Sequence, residues 1–281
     1  MTTAPVVAAI GGSEDSARVV DWAADEAARQ GRPLQVAHAW RWSRYETDET
    51  GSADYVRARQ VVQDMLSEAA NRATARRPGL RVSTWILADD KLPGLLRIGR
   101  RAALVVVGSR KHRAADVLMP GTVATGLVRH AEFPVVVVRG EQPLPDSPHR
   151  VVLAVAPDHD PGPAARFALA QAASRQAELE VVHAWHPDVD LSGMAVVMDT
   201  GPALERAQAL LTAVATPLEG NGTTKIRRSA LVGTPAGHLV EATTGADLLV
   251  IGARRGRRHL GPLTRELLRH APCPVAVIPH D

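Results

Sequence analysis

Leu104-Val105-Val106-Val107-Gly108-Ser109-Arg110-Lys111 is followed, after a polar stretch, by Met119-Pro120-Gly121-Thr122-Val123 and an apolar run that ends at Arg129-His130. Pro134-Val135-Val136-Val137-Val138 comes next. Four apolar residues before Gly108 predict a buried strand, the polar stretch a loop, and the run from Gly121 a helix leading to another buried strand. A strand ending at Gly108 and a helix opening at Gly121-Thr122 suit a phosphate. The first helical turn offers unpaired N–H groups and the positive end of the dipole, and Thr122 adds a hydroxyl.

The pattern occurs twice. Leu248-Leu249-Val250-Ile251-Gly252-Ala253-Arg254-Arg255 repeats the strand, Gly261-Pro262 opens the helix, Arg269-His270-Ala271 closes it, and Pro274-Val275-Ala276-Val277-Ile278 follows. Gly108 and Gly252 are 252 − 108 = 144 residues apart, and the triplets His38-Ala39-Trp40 and His183-Ala184-Trp185 are 183 − 38 = 145 apart. So constant an offset means two copies of one domain. The prolines 143, 145 and 148 mark the linker, and the domains are expected at 1–142 and 148–281.

Composition narrows the function classes. With 45% hydrophobic and 22% charged residues the chain reads as globular, and no apolar run approaches the ~20 residues of a membrane helix. The N-terminus lacks a basic, apolar, small-residue leader pattern. The single Cys273 cannot form an internal disulfide, so a cytoplasmic location is expected. Between two prolines, that cysteine reads as a small buried residue rather than a reactive thiol. A net charge of +3 and 3% aromatic residues argue against nucleic-acid binding by charge or by base stacking. Basic residues do cluster at matching places, Arg110-Lys111-His112-Arg113 and Arg254-Arg255-Gly256-Arg257-Arg258-His259. A solvated loop and an anion-binding loop both fit them.

Read in order, 6–10 is a strand ending in Gly11-Gly12, and Ser13 or Ser16 caps a helix that carries Val19, Val20, Trp22, Ala23 and Ala27 on one face. Gly31 stops that helix. Strand 34–40, a long helix 55–77 with Val61, Val62, Met65, Leu66 and Ala69 at helical spacing, strand 80–87 and helix 92–101 complete the first copy. The second copy repeats the plan from 151. Alternating strands and helices predict an α/β fold, a parallel sheet wound on both faces. Trp40 and Trp185, at equivalent strand ends, read as packing residues. His183 and His186, three apart on a strand, point to opposite faces, so exposure at a strand end is preferred over a metal pair. Asp158-His159-Asp160 lacks a second cluster to complete a metal shell, and no Walker or Gly-x-Gly-x-x-Gly loop occurs.

The duplicated order, the Val-Val-Gly-Ser-Arg strand end at 106–110, the Gly-Thr opening at 121–122 and the exits Arg129-His130-Ala131-x-x-Pro134-Val135 and Arg269-His270-Ala271-Pro272-Cys273-Pro274-Val275 together resemble the tandem form of the universal stress protein family. The resemblance covers essentially the whole chain. It implies two Rossmann-like five-stranded sheets ordered 3-2-1-4-5, with a ligand crevice beyond the carboxyl ends of strands one and four.

In the first copy the crevice would be lined by Gly11, Gly12 and Ser13 and by Gly108, Ser109, Arg110, Lys111, Gly121, Thr122 and Val123. The resemblance also implies ATP as ligand in members that carry an Asp after the first strand, then Gly-x-x-Gly, nine residues and Gly-Ser or Gly-Thr. Here Gly11 and Ala156 stand at the two Asp positions, and Lys111 stands at the second glycine. A side chain at 111 hinders close backbone approach or adds a cation. Gly108, Ser109, Gly121 and Thr122 keep the spacing. The second copy has a shorter loop and has Pro262 in place of the Thr, so its site is expected to be degenerate.

Three functional readings follow. The first is a stress-response module that binds an adenine nucleotide (ATP) in domain 1. The second is a ligand-free interaction scaffold working through an unknown protein partner. The third is a slow ATPase, disfavoured because no base or metal ligand stands near the phosphate loop, so no enzyme activity and no metal are expected. The resemblance further implies that the last strands pair the two domains into an internal pseudo-dimer, which would cover exposed edges, with a homodimer of whole chains the alternative.

Overall fold

The computed structural model describes residues 3–11, 15–41, 53–111, 118–139, 149–157, 160–185, 188–190, 197–220, 224–256 and 259–281. Two compact units divide the chain, Met1–Val138 and Arg139–Asp281.

In the first unit the order is β1 (Val6–Ala9), α1 (Asp15–Arg29), β2 (Leu34–Ala39), α2 (Ala53–Arg76), β3 (Val82–Leu87), α3 (Lys91–Gly99), β4 (Leu104–Lys111), β5 (Leu118–Pro120), α4 (Thr122–His130) and β6 (Val135–Val138). The main sheet runs β3-β2-β1-β4-β6 and is parallel throughout. Counting only its five long parallel strands, this is the expected 3-2-1-4-5. β1 and β4 are the central neighbours, with Val6 opposite Leu104 and Ala9 opposite Val107. Val105, Val106, Val135, Val136 and Val137 are wholly buried, as an apolar run in a sheet covered on both faces requires.

The second unit repeats the plan with β7 (Arg150–Ala154), α5 (Gly162–Arg175), β8 (Glu178–Trp185), α6 (Gly201–Glu219), β11 (Ile226–Val232), α7 (Pro235–Ala242), β12 (Leu248–Arg254), α8 (Pro262–His270) and β13 (Val275–His280). Its order is β11-β8-β7-β12-β13, again parallel. A small antiparallel ribbon, β9 (Asp188–Asp190) with β10 (Val197–Asp199), follows β8.

Four expectations are corrected. The strand does not end at Gly108. It runs on to Lys111, because β5 returns antiparallel and supplies partners beyond the parallel ladder, Ser109 opposite Pro120 and Lys111 opposite Leu118. Ser16 lies inside α1 rather than capping it, since Asp15 is already helical. Val61 is exposed, at 68%. The buried stripe of α2 runs through Leu66, Ala69 and Ala73, and five residues back from Leu66 is roughly 140° round the helix. His183 is buried, its Nδ1 2.9 Å from the Val155 carbonyl. Gly31, by contrast, ends α1 as expected, at φ +61.

α1 and α2 are also joined by charge. Arg72 grips Asp21 through two bonds of 2.6 Å, and Asp25 accepts from Arg76 at 2.9 and 2.8 Å and from Arg77 at 2.8 Å. Burial by itself would raise the Asp25 carboxyl, but bonding and attraction from Arg76 and Arg77 outweigh it and hold the group below the usual carboxylate range. A depressed folded-state pKa gives stability that is present above the unfolded value of about 4 and is lost as pH falls below it. Asp25→Asn is therefore expected to cost about 1–2 kcal/mol at neutral pH, a figure discounted because both arginines are partly solvated. The gap between urea melts of the two proteins should narrow steadily as pH falls from 7 through 4 to 3. An equal gap at all three pH values would refute the ion-pair account.

Candidate functional site

β1 and β4 end side by side, and a crevice opens beyond their carboxyl ends in the first unit. About 740 Å³ of space, open solvent included, lies between its walls. Its walls come from the β1 end, the start of α1, the β2 end, the first turns of α3 and α4, and the β4 end.

Of the expected residues, Gly11, Gly108, Ser109, Gly121, Thr122 and Val123 line this crevice together. Gly12 and Ser13 lie outside the described residues, as do His112 and Arg113 of the basic loop. Arg110 and Lys111 are placed by their backbones on β4, opposite Met119 and Leu118.

α4 begins at Thr122, with Gly121 as its N-cap and no side chain capping it. The first intrahelical bond is Thr125 N–H to the Gly121 carbonyl, 2.9 Å. The N–H groups of Thr122, Val123 and Ala124 precede it, and all three residues border the crevice. Ser109 is buried and its hydroxyl donates to the Val138 carbonyl at 3.3 Å, so it serves the sheet as well as the wall. A Cβ at Gly108 would stand 3.2 Å from both Asp15 Cβ and Val19 Cγ2. Glycine there lets α1 lie close on β4, a packing role distinct from backbone approach to a phosphate.

Other wall residues carried weaker signals. Asp15 is buried and bonded by Arg18. Ser16 Oγ is buried and meets no hydrogen-bond partner among the described residues. His38 Nδ1 lies 2.8 Å from the Ile10 carbonyl and must donate to it. Burial, reinforced by the charge of Lys91, holds His38 below the usual imidazole value despite that bond, so at neutral pH its Nε2 is an acceptor. The duplicated His-Ala-Trp triplet was its signal, and the matching His183 bond in the second unit reveals a structural strand-end clamp. Nothing in the sequence singled out Asp15 or Lys91.

The sequence model of the "Universal stress protein family" matches twice, over residues 3–139 and 148–279. The chain belongs to the universal stress protein family. A universal stress protein of Mycobacterium tuberculosis is 27% identical over 100% of this chain and 97% of its own. The crystal structure of a universal stress protein from Archaeoglobus fulgidus superposes at TM-score 0.77 with 17% identity, covering 99% of this chain and 98% of that one. Universal stress proteins solved with cAMP and, from Archaeoglobus fulgidus, with dAMP each align with 50% of this chain at TM-score 0.38, at 22% and 24% identity over 98% and 100% of their own lengths.

Elsewhere in this universal stress protein, Trp40 stacks on Tyr55 with ring centroids 5.5 Å apart, and Trp185 is buried against Ala203 and Ala207. The packing reading of both tryptophans holds. Asp158 and His159 lie outside the described residues, and Asp160 accepts from the Gly162 N–H at 2.9 Å. Among the described residues no group of His, Cys, Asp or Glu could hold a metal ion, and no helix is long and apolar enough to cross a membrane.

Proposed function

We propose that this protein is a stress-response binding module that takes an adenine nucleotide in the crevice of its first unit. The observation that carries this reading is the convergence of the open α4 N-terminus with the β1 and β4 ends on one crevice. A helix N-terminus at a strand-order switch point favours the phosphates of a bound nucleotide. The unpartnered Ser16 hydroxyl adds a donor nearby. ATP is the ligand implied by the family pattern, and the crevice fits its phosphate half better than its nucleoside half, where Gly11 stands in place of the carboxylate.

By this reading the nucleotide is held and sensed rather than hydrolysed. We assign no nucleotide to the second unit, because Pro262 at the first position of α8 removes an N–H that Thr122 retains.

Calorimetric titration of ATP and AMP into the whole chain tests the reading. Gly11→Asp supplies the missing carboxylate, and among the described residues there is room for it: none lies within 4 Å of a Cβ there, and φ lies outside the left-handed region. A charged hydrogen bond to the nucleoside should tighten binding about tenfold. Absence of heat with both proteins would overturn the nucleotide reading and favour the ligand-free scaffold.

A further inference from the structure

Lys91 is the first residue of α3 and borders the crevice on its β2 side, close enough to His38 for its charge to act on that ring. A cation at a helix N-terminus opposes the dipole, so no local helix preference accounts for it. The adjacent acids are already engaged: Arg97 binds Asp89 at 2.5 Å and Arg41 binds Asp90 at 3.1 Å. Asp15, the carboxylate in the crevice wall, is held by Arg18. Among the described residues no carboxylate pairs with the Lys91 ammonium. Among the described residues the crevice therefore carries in Lys91 a positive charge with no carboxylate paired to it, at the α3 wall, and Gly11, which leaves out the nucleoside carboxylate, lines the same crevice.

In nucleotide-binding α/β folds, an acid at the ribose selects a free hydroxyl, and its replacement by a nearby cation admits a ribose phosphate. Both changes occur together here. We propose that Lys91 selects a nucleotide carrying a second phosphate, on the ribose 2′ or 3′ oxygen, over one phosphorylated at 5′ alone. The inference rests on the nucleotide reading of the same crevice: the α4 N-terminus takes the 5′ phosphate and Lys91 the ribose phosphate. An ammonium suits this role as a point charge without the bidentate geometry of a guanidinium.

The test titrates AMP, adenosine 3′,5′-bisphosphate and adenosine 2′,5′-bisphosphate into the whole chain at one fixed salt concentration, for the native protein, Lys91→Met and Lys91→Arg. Lys91 is exposed, so neither substitution should disturb folding, which circular dichroism checks. At least one bisphosphate is expected to bind about tenfold more tightly than AMP. Lys91→Met should bring that ratio close to one and Lys91→Arg should retain it, and the isomer with the larger ratio identifies the ribose oxygen. Binding of AMP with no bisphosphate advantage, or an advantage that survives in Lys91→Met, overturns this inference while leaving the nucleotide reading intact. Failure of all three ligands overturns both.

Discussion

Replacing Gly121 by aspartate is expected to abolish nucleotide binding in a protein that melts at or slightly above the native temperature. Gly121 is the N-cap of α4 with φ −62 and ψ 163, an extended backbone open to any residue. Aspartate is among the best N-cap residues, and gains over glycine a few tenths of a kcal/mol by accepting from the N–H groups two and three positions on. Those belong to Val123 and Ala124, the donors that a phosphate would use. The substitution thus occupies the anion site with its own carboxylate and repels a second anion. Loss of two charge-assisted bonds weakens binding about 100-fold or more. Gly121→Asn caps without charge and should fall between the two. Undiminished binding in Gly121→Asp would move the phosphate away from α4, and calorimetry paired with a thermal melt distinguishes that from misfolding.

The second large effect concerns stability. A Cβ on Gly99, at the end of α3, would stand 2.0, 2.4 and 2.5 Å from the Cζ, Cε2 and Cε1 atoms of Phe133, whose ring is buried against the helix. Gly99→Ala must displace that ring, and overpacking of this kind costs about 2–3 kcal/mol, a fall in Tm of roughly 10 °C for a domain of this size. The duplication supplies its own compensating pair. The position matching Gly99 is Thr243, at 243 − 99 = 144, the offset of Gly108 and Gly252; the position matching Phe133 is Cys273, at 273 − 133 = 140, the offset of Pro134 and Pro274. The offset shrinks by four because the loop before α8 is four residues shorter. Thr243 and Cys273 are both buried in the second unit, where the Thr243 hydroxyl donates to the Val240 carbonyl at 2.7 Å, so a larger helix residue stands with a smaller partner.

Gly99→Thr with Phe133→Cys is therefore expected to cost clearly less than the sum of the single substitutions, a favourable coupling of about 1–3 kcal/mol in a double-mutant cycle. Strict additivity would refute the exchange. The same pairing explains Cys273. Burial pushes its thiol up to about 12, which leaves it protonated and unreactive at neutral pH.

Much of the architecture was legible because it is written in local patterns. The apolar runs at 104–107 and 135–138, the offset between copies and the punctuation at Gly31, Gly121 and Gly261 are short-range signals, and they predicted two parallel sheets, while the adjacency of strands one and four came from the family resemblance. Several of the misplaced details depend on how an element packs rather than on its local pattern. β4 continues to Lys111 only because β5 folds back on it, and Val61 faces outward because the cover over α2 is set by the stripe through Leu66 and Ala73.

The sequence by itself determined the repeat, the strand order through its resemblance, and the glycine and threonine positions that bring a helix N-terminus to a strand end. These follow from periodicity, helix-stop chemistry and spacing, which act over a few residues or recur between the copies. Only the tertiary structure decided which charges are spoken for. Asp21 and Asp25 meet arginines 51 or 52 residues away, His38 meets the Ile10 carbonyl across the sheet, and Lys91 is left facing the crevice while Arg97 and Arg41 hold the acids beside it. Electrostatic partnership is a matter of distance in space, and a linear pattern of charges carries no record of it.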